Sequence, residues 1–164
     1  MATDAAPLQD TDRQAVAPSL PALDIFRGVI RMFHGLHHAS VTEMTLANGR
    51  RADVLGLGAA GEIVIAEVKS CLNDFRTDAK WPDYAPFCDR FYFAVSHDFP
   101  TAVIPESAGL IIADRFGGAI VREAPEHKLS AARRKAVTLR FARLAAQRLN
   151  LEDLSSMDGG PLFP

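Results

Sequence analysis

The chain has 164 residues, 48% of them hydrophobic and 23% charged, with a formal net charge of −2. That size and composition suit one ordinary globular domain, able to bury roughly 70% of the surface its unfolded chain exposes, and argue against wholesale disorder. The slightly acidic balance counts against a protein that coats nucleic acid nonspecifically, and no apolar run reaches the ~18 residues of a membrane span.

Residues 1–19 are rich in Ala, Asp, Pro and Gln and read as a flexible N-terminal tail, with no basic start or apolar stretch of the secretory kind. The two cysteines, Cys71 and Cys88, form no C-x-x-C pair. They read as reduced packing thiols of a cytoplasmic protein.

From residue 20 to 150 the chain reads as a single domain. Ala22, Phe26, Val29, Ile30, Phe33 and Leu36 recur at three- and four-residue steps, which predicts a helix over about 22–37. His34, His37 and His38 fall near its end; His34 and His38 stand four apart, but no Cys or acidic residue stands at zinc-ligand spacing beside them.

The period then changes. Residues 41–46 read as a strand, Asn48-Gly49 as a hairpin turn, 51–57 as its partner and 62–69 as a buried central strand. Together these form an antiparallel three-stranded meander. A helix is expected over 74–81, capped by Ser70 or Asn73, with Asp74/Asp78 and Arg76/Lys80 at i,i+4 spacing, and ended or bent by Pro82. Strands follow at 90–96, 109–114 and, as an edge, 119–123. A closing helix over 130–148 begins at Ser130, and 151–164 shows no period and reads as a loosely attached tail. The fold class is therefore α/β of the α+β type, a mixed sheet with helices on both faces.

Chemistry gathers on the central strand. Side chains two apart share a face of a strand, so Glu67 and Lys69 continue the face of Ile63 and Ile65. Charged residues in that place cost stability unless paired or bound. Neighbouring strands lie about 4.8 Å apart, and the short turn over 58–61 can bring Asp53 beside Glu67. Two such carboxylates repel, and a divalent cation removes the conflict. Mg²⁺ takes one or two carboxylates and completes its shell with water and phosphate oxygens. Lys69 would orient an attacking water and offset growing phosphate charge, and Glu43, by strand parity on the face of Val41 and Thr45, would be an auxiliary acid.

Arg51-Ala52-Asp53, then thirteen residues, then Glu67-Val68-Lys69, resembles the PD-(D/E)XK nuclease superfamily. The stretch EVKSCLNDFRTDAKWPDYAPFCDRFYFAVS is similar in particular to the MmcB-like family of bacterial DNA-repair proteins within it, over roughly residues 22–148. The resemblance implies a restriction-endonuclease-like core, Mg²⁺ or Mn²⁺ held by Asp53 and Glu67, Lys69 as catalytic lysine, DNA as partner and a role in repair; a homodimer is compatible with it. Ala52 stands where the motif has proline. Lys80 and Tyr84 stand where related nucleases carry a Gln-x-x-x-Tyr element, with lysine in place of glutamine. Arg51, Ser70, Lys80, Tyr84, Arg133 and Arg140 are the expected DNA contacts. The alternative is a DNA-binding adaptor that keeps the fold without cutting.

Two further signals bear on function. Gly56-x-Gly58-x-x-Gly61 matches the dinucleotide-binding pattern, but strand-like EIVIAEV follows where a helix must begin, so no nucleotide cofactor is expected, and no P-loop pattern occurs. Arg133, Arg134, Lys135, Arg140, Arg143 and Arg148 carry no acid among them. On a helical projection the arginines crowd one half, suited to phosphate contact, while Leu139, Ala142, Ala146 and Leu149 take the other. Trp81 and Phe87 read as packing groups.

Overall fold

The computed structural model describes residues 19–77 and 80–158. The expected N-terminal tail therefore lies almost wholly outside the described residues, as do Asp78 and positions 159–164.

Helix α1 (Leu20–Gly35) leads into strands β1 (His38–Thr45), β2 (Arg51–Gly58) and β3 (Ile63–Lys69). A short helix α2 (Leu72–Thr77) and a 3-10 helix (Trp81–Phe87) precede β4 (Arg90–Val95). Strands β5 (Gly109–Ala113) and β6 (Gly118–Arg122) and helix α3 (Ala131–Asp158) complete the chain. The six strands form one sheet in sequence order. β1–β2–β3 is the expected antiparallel meander, β3, β4 and β5 run parallel, and β6 returns antiparallel as an edge.

Strand β3 is buried at all seven positions, as its near-continuous apolar run requires. Its two faces see different partners. Val64, Ala66 and Val68 join Ile25, Val29 and Phe33 of α1. Ile63 and Ile65 join Phe91, Phe93 and Leu55 with Tyr84 and Phe87 of the 3-10 helix and Val137 and Phe141 of α3. α1 sits so close to the β5–β6 turn that a Cβ on Gly28 would collide with the carbonyl oxygens of Asp114 and Gly117. Only glycine fits there.

Several expectations change. α1 ends at Gly35, His37 takes φ 59° and His38 opens β1, so His34 and His38 do not share a helix face. The helix expected over 74–81 is instead α2 followed, beyond the two undescribed residues, by the 3-10 helix, with Pro82 in its first turn. Pro cannot donate inside a helix but suits its start. α3 begins as expected, with the Arg133 N–H donating to Ser130 Oγ at 3.3 Å, but runs ten residues past its expected end into the segment read as a loose tail. On α3 the half that packs carries Val137, Phe141 and Leu144; Leu139, Ala142, Ala146 and Leu149 all face solvent. A strand follows Gly61, so the glycine run is a β-turn with no helix N-terminus for a pyrophosphate.

At the start of β3 a buried hub ties four segments together. Asp89 accepts the Ile63 and Leu129 N–H groups at 2.8 and 3.3 Å and a two-pronged bond from Arg134 at 2.6 and 2.7 Å. Arg134 also reaches Gly61 O at 2.6 Å. Burial alone would push the Asp89 carboxyl up; the Arg134 and N–H bonds outweigh it and hold the carboxyl below its usual range. Removing one partner of such a pair leaves a buried charge unpaired. Arg134→Ala should therefore cost about 3 kcal/mol by urea unfolding at neutral pH. The loss should shrink below pH ~4, because a depressed carboxylate stabilises only above its unfolded value and the benefit disappears as pH falls through the folded one.

Candidate active site at the end of the central strand

The carboxylate cluster stands where β2 and β3 part. Their ladder stops at Val54–Ala66. Beyond that pair the Asp53 N–H donates to Glu67 Oε1 at 3.0 Å, and the Val68 N–H donates to Asp53 Oδ2 at 2.9 Å. Each acid thus takes a main-chain donor from the strand that carries the other. The two strands separate without orphaning buried donors, a condition native interiors observe.

Glu67 and Lys69 are only 4% and 6% exposed, and strand alternation puts both on the Ile63–Ile65 face, as expected. Their register partners on β4 are Phe93 and Val95. Phe75 of α2 lies edge-on to Phe93 with ring centroids 5.2 Å apart, so α2 forms an apolar wall beside the acids. The Asp53 carboxyl is pushed up to about 6, mainly by burial and also by Glu43; the Val68 N–H, Lys69 and Arg51 pull the other way.

Glu43 stands in register opposite Asp53 at a break in β1. The β1–β2 pairing runs through Thr42–Val54 and Met44–Ala52 and skips the residue between, whose φ is 50°. That left-handed step changes the parity of the strand: Met44, not Glu43 or Thr45, joins Val41 in the core. Glu43 is exposed and pairs with the exposed Arg51 at 3.6 Å, yet its charge reaches Asp53.

The remaining expected contacts divide. Ser70 follows Lys69 directly, half-buried. Lys80 is exposed before the 3-10 helix. Arg140 donates to Thr45 O at 2.6 Å and, with Arg143, Glu43 and Gln147, lines a groove of about 560 Å³ between β1 and α3. Arg51, Glu43 and Arg140 thus lie at the acid end of the sheet.

Two of the expected contacts have packing partners away from the acid pair. Tyr84 is buried, stacks on Phe91 with centroids 5.5 Å apart, and donates its hydroxyl to Arg51 O at 3.0 Å. Through that bond it supports the start of β2. Arg133 lies over the Phe87 ring at 4.8 Å, one residue from the Arg134–Gly61 contact at the opposite end of β3. Trp81 and Phe87 are packing groups, as read; Trp81 stacks on Phe91 at 5.5 Å.

The sequence reading missed Asp89, Arg148 and the link between hairpin and 3-10 helix. Arg50 pairs with Asp83 at 2.9 Å, and Asn48 donates to Asp83 O at 3.0 Å. Arg148 holds Thr42 Oγ1 and O at 3.2 and 2.7 Å. One signal for Asp89 was available: an acid directly before an apolar strand, with an unpaired excess of cations far along the chain.

An oxygen-only pair of acids, one held against ionisation, suits a hard divalent cation. Among the described residues no three of His, Cys, Asp and Glu stand at metal-holding geometry. A cation here would rest on two carboxylates, as Mg²⁺ commonly does.

A mixed sheet flanked by helices, with two acids and a lysine at the end of its central strand, defines a restriction-endonuclease-like domain. Residues 9–156 match the MmcB-like family, described as DNA repair protein MmcB-like, and the chain belongs to that family. SPO1766, a protein of unknown function from Silicibacter pomeroyi, has a solved structure similar to this chain at TM-score 0.80 and 42% identity, covering 91% of this chain and 100% of its own. No curated protein matches the chain. Among the described residues no helix is long and apolar enough to cross a membrane.

The upward shift of the Asp53 carboxyl carries a stability consequence. The folded state retains a proton that the unfolded state releases between pH 3.8 and about 6, so this group lowers stability as pH rises through that window, by up to ~3 kcal/mol above it. Asp53→Asn, which keeps an acceptor for Val68, should be more stable than wild type at pH 7.5 in chelator. By urea unfolding the gain should fade towards pH 4; a pH-independent difference would refute the assignment.

Proposed function

We propose that the chain is a metal-dependent DNA phosphodiesterase acting in repair. The observation that carries this reading is the reciprocal Asp53–Glu67 arrangement across the parted strands, with Lys69 two residues beyond Glu67 on the same face. Such a cluster at the end of a buried strand costs stability unless its charges are paired or bound.

Asp53 and Glu67 would hold Mg²⁺ or Mn²⁺, which when bound supplies Lewis-acid charge and a more acidic water. Lys69 positions the attacking water and offsets negative charge as the phosphorus–oxygen bond to the leaving strand breaks. Glu43 stands beside Asp53 as an auxiliary acid, able to take up the water's proton. Arg51, Arg140, Lys80 and Ser70 would contact the backbone, with Arg143 beside Arg140 on the groove. These cations suit sequence-independent contact with the phosphate backbone. The DNA-repair description of the family supports DNA as the polymer.

The test is cleavage of duplex, flap, mismatched and single-stranded DNA in Mg²⁺, in Mn²⁺ and in chelator. Wild type should cut at least one form with metal and none in chelator. Asp53→Asn and Lys69→Ala should each lose roughly 100-fold or more of that rate. Cleavage that survives in both variants rejects the mechanism, and DNA binding without metal or cleavage supports a non-cutting adaptor.

A further inference from the structure

The outward face of α3 takes no part in the core, and one of its residues, Leu139, borders the groove with β1. Leu139 and Leu149 are 55% and 61% exposed, and with the exposed Ala142 and Ala146 they step along the helix by three, four and three residues. At 100° per residue this stripe points away from Val137, Phe141 and Leu144, which pack on the sheet. Arg140 and Arg143 sit to one side of it, on the groove with β1. Two exposed charges end the stripe, Lys135 one turn before Leu139 and Asp153 one turn after Leu149.

The pattern is self-complementary. Leu139 with Leu149, Ala142 with Ala146, and Lys135 with Asp153 are all centred on position 144. One two-fold axis beside that position brings the members of each pair to the same height between two antiparallel copies of α3. Leucine then stands level with leucine, and lysine with aspartate, at both ends. A parallel pairing would oppose lysine to lysine and aspartate to aspartate, which disfavours it. Leu129, Ala131, Thr138 and Leu139, with the cations Lys128, Arg134 and Lys135, line a shallow hollow of about 580 Å³ beside the stripe, and the same axis carries the second copy's Leu149 towards its rim. The charges of the stripe cancel and its centre is apolar, which suits neither DNA phosphates nor anionic lipid.

We propose that this stripe is a self-association surface, at which a second copy of the chain docks through α3 in antiparallel orientation. The contact spans about 30 Å of helix. It belongs at the low end of specific interfaces, roughly 1,200 Å² in all, so the dimer depends on concentration. Arg140 and Arg143 lie to the side of the contact, and Leu139 is common to the contact and to the groove they line.

Sedimentation equilibrium of the full chain over a range of concentrations tests this, with circular dichroism to verify folding of each variant. Wild type should show a monomer–dimer equilibrium, and Leu149→Glu should weaken it by roughly 30-fold or more. Lys135→Asp and Asp153→Lys should each weaken it, and the double variant K135D/D153K should restore it. A wild type that stays monomeric at its highest soluble concentration overturns the proposal. So does a dimer that Leu149→Glu leaves intact, or a double variant no better than either single one. DNA cleavage is read separately, so a monomeric nuclease or a dimeric adaptor would each be recognised.

Discussion

The structure turns on an exchange of hydrogen bonds at the point where β2 leaves β3. In an ordinary antiparallel ladder, main-chain carbonyls take the main-chain N–H groups of the neighbouring strand. Here two side-chain carboxylates take them, Glu67 from Asp53 and Asp53 from Val68. The same four groups that terminate the sheet also define the acid pair. Strand separation without the acids would leave donors unmet inside the protein, and the acids without the separation would have no room. Backbone geometry and site chemistry are therefore one constraint, fixed to the register of Val54 on Ala66 and of Glu67 on Phe93.

The rest of the fold holds that junction from outside. Tyr84 and Asp83 pin the start of β2 and its hairpin to the 3-10 helix. Arg140 and Arg148 occupy carbonyls of the exposed edge strand β1, which would otherwise stand open to strand addition. At its other end β3 is tied by Asp89, which bonds Ile63 and Arg134. β3 is thus clamped at both ends by carboxylates of opposite character. Asp89, answered by a guanidinium and N–H groups, is held ionised. Asp53, mainly through burial, resists ionising. The difference lies in the partners: a guanidinium and two N–H groups answer Asp89, whereas one N–H group answers Asp53 against a larger burial cost.

Legibility in the sequence followed the range of each interaction. Periodicity and turn chemistry are local, so the meander, the two-sided burial of β3, the edge position of β6 and the start of α3 could be read directly. Asp53, Glu67 and Lys69 came together as read because strand parity and one short turn determine their placement. Glu43 kept its neighbour but lost its face, since the left-handed step at that residue breaks the parity rule with no glycine to mark it. Tyr84 matched a pattern but its hydroxyl found a carbonyl 33 residues away, and no window of sequence shows that. The pairing of Asp89 with Arg134, 45 residues apart, was beyond reach for the same reason.

Helix α3 shows why composition misleads where it is strongest. Six cations without an acid suggest a phosphate-binding surface, yet Arg134, Arg140 and Arg148 each donate to main-chain carbonyls. These arginines clamp the fold first. A guanidinium has five donors and keeps its charge while using one or two of them, so Arg140 can brace β1 and still present positive charge beside Glu43. The apolar half of the same helix misleads in the opposite sense. Leu139 and Leu149 have the spacing of core residues, but the core is built from Val137, Phe141 and Leu144 beside the arginines. The arginines lie near the packed face because their long stems can cross it to reach backbone oxygens at the strand edge. That displacement is what leaves leucines outside. The clamping role of the arginines and the solvent-facing stripe are consequences of one rotation of the helix about its axis.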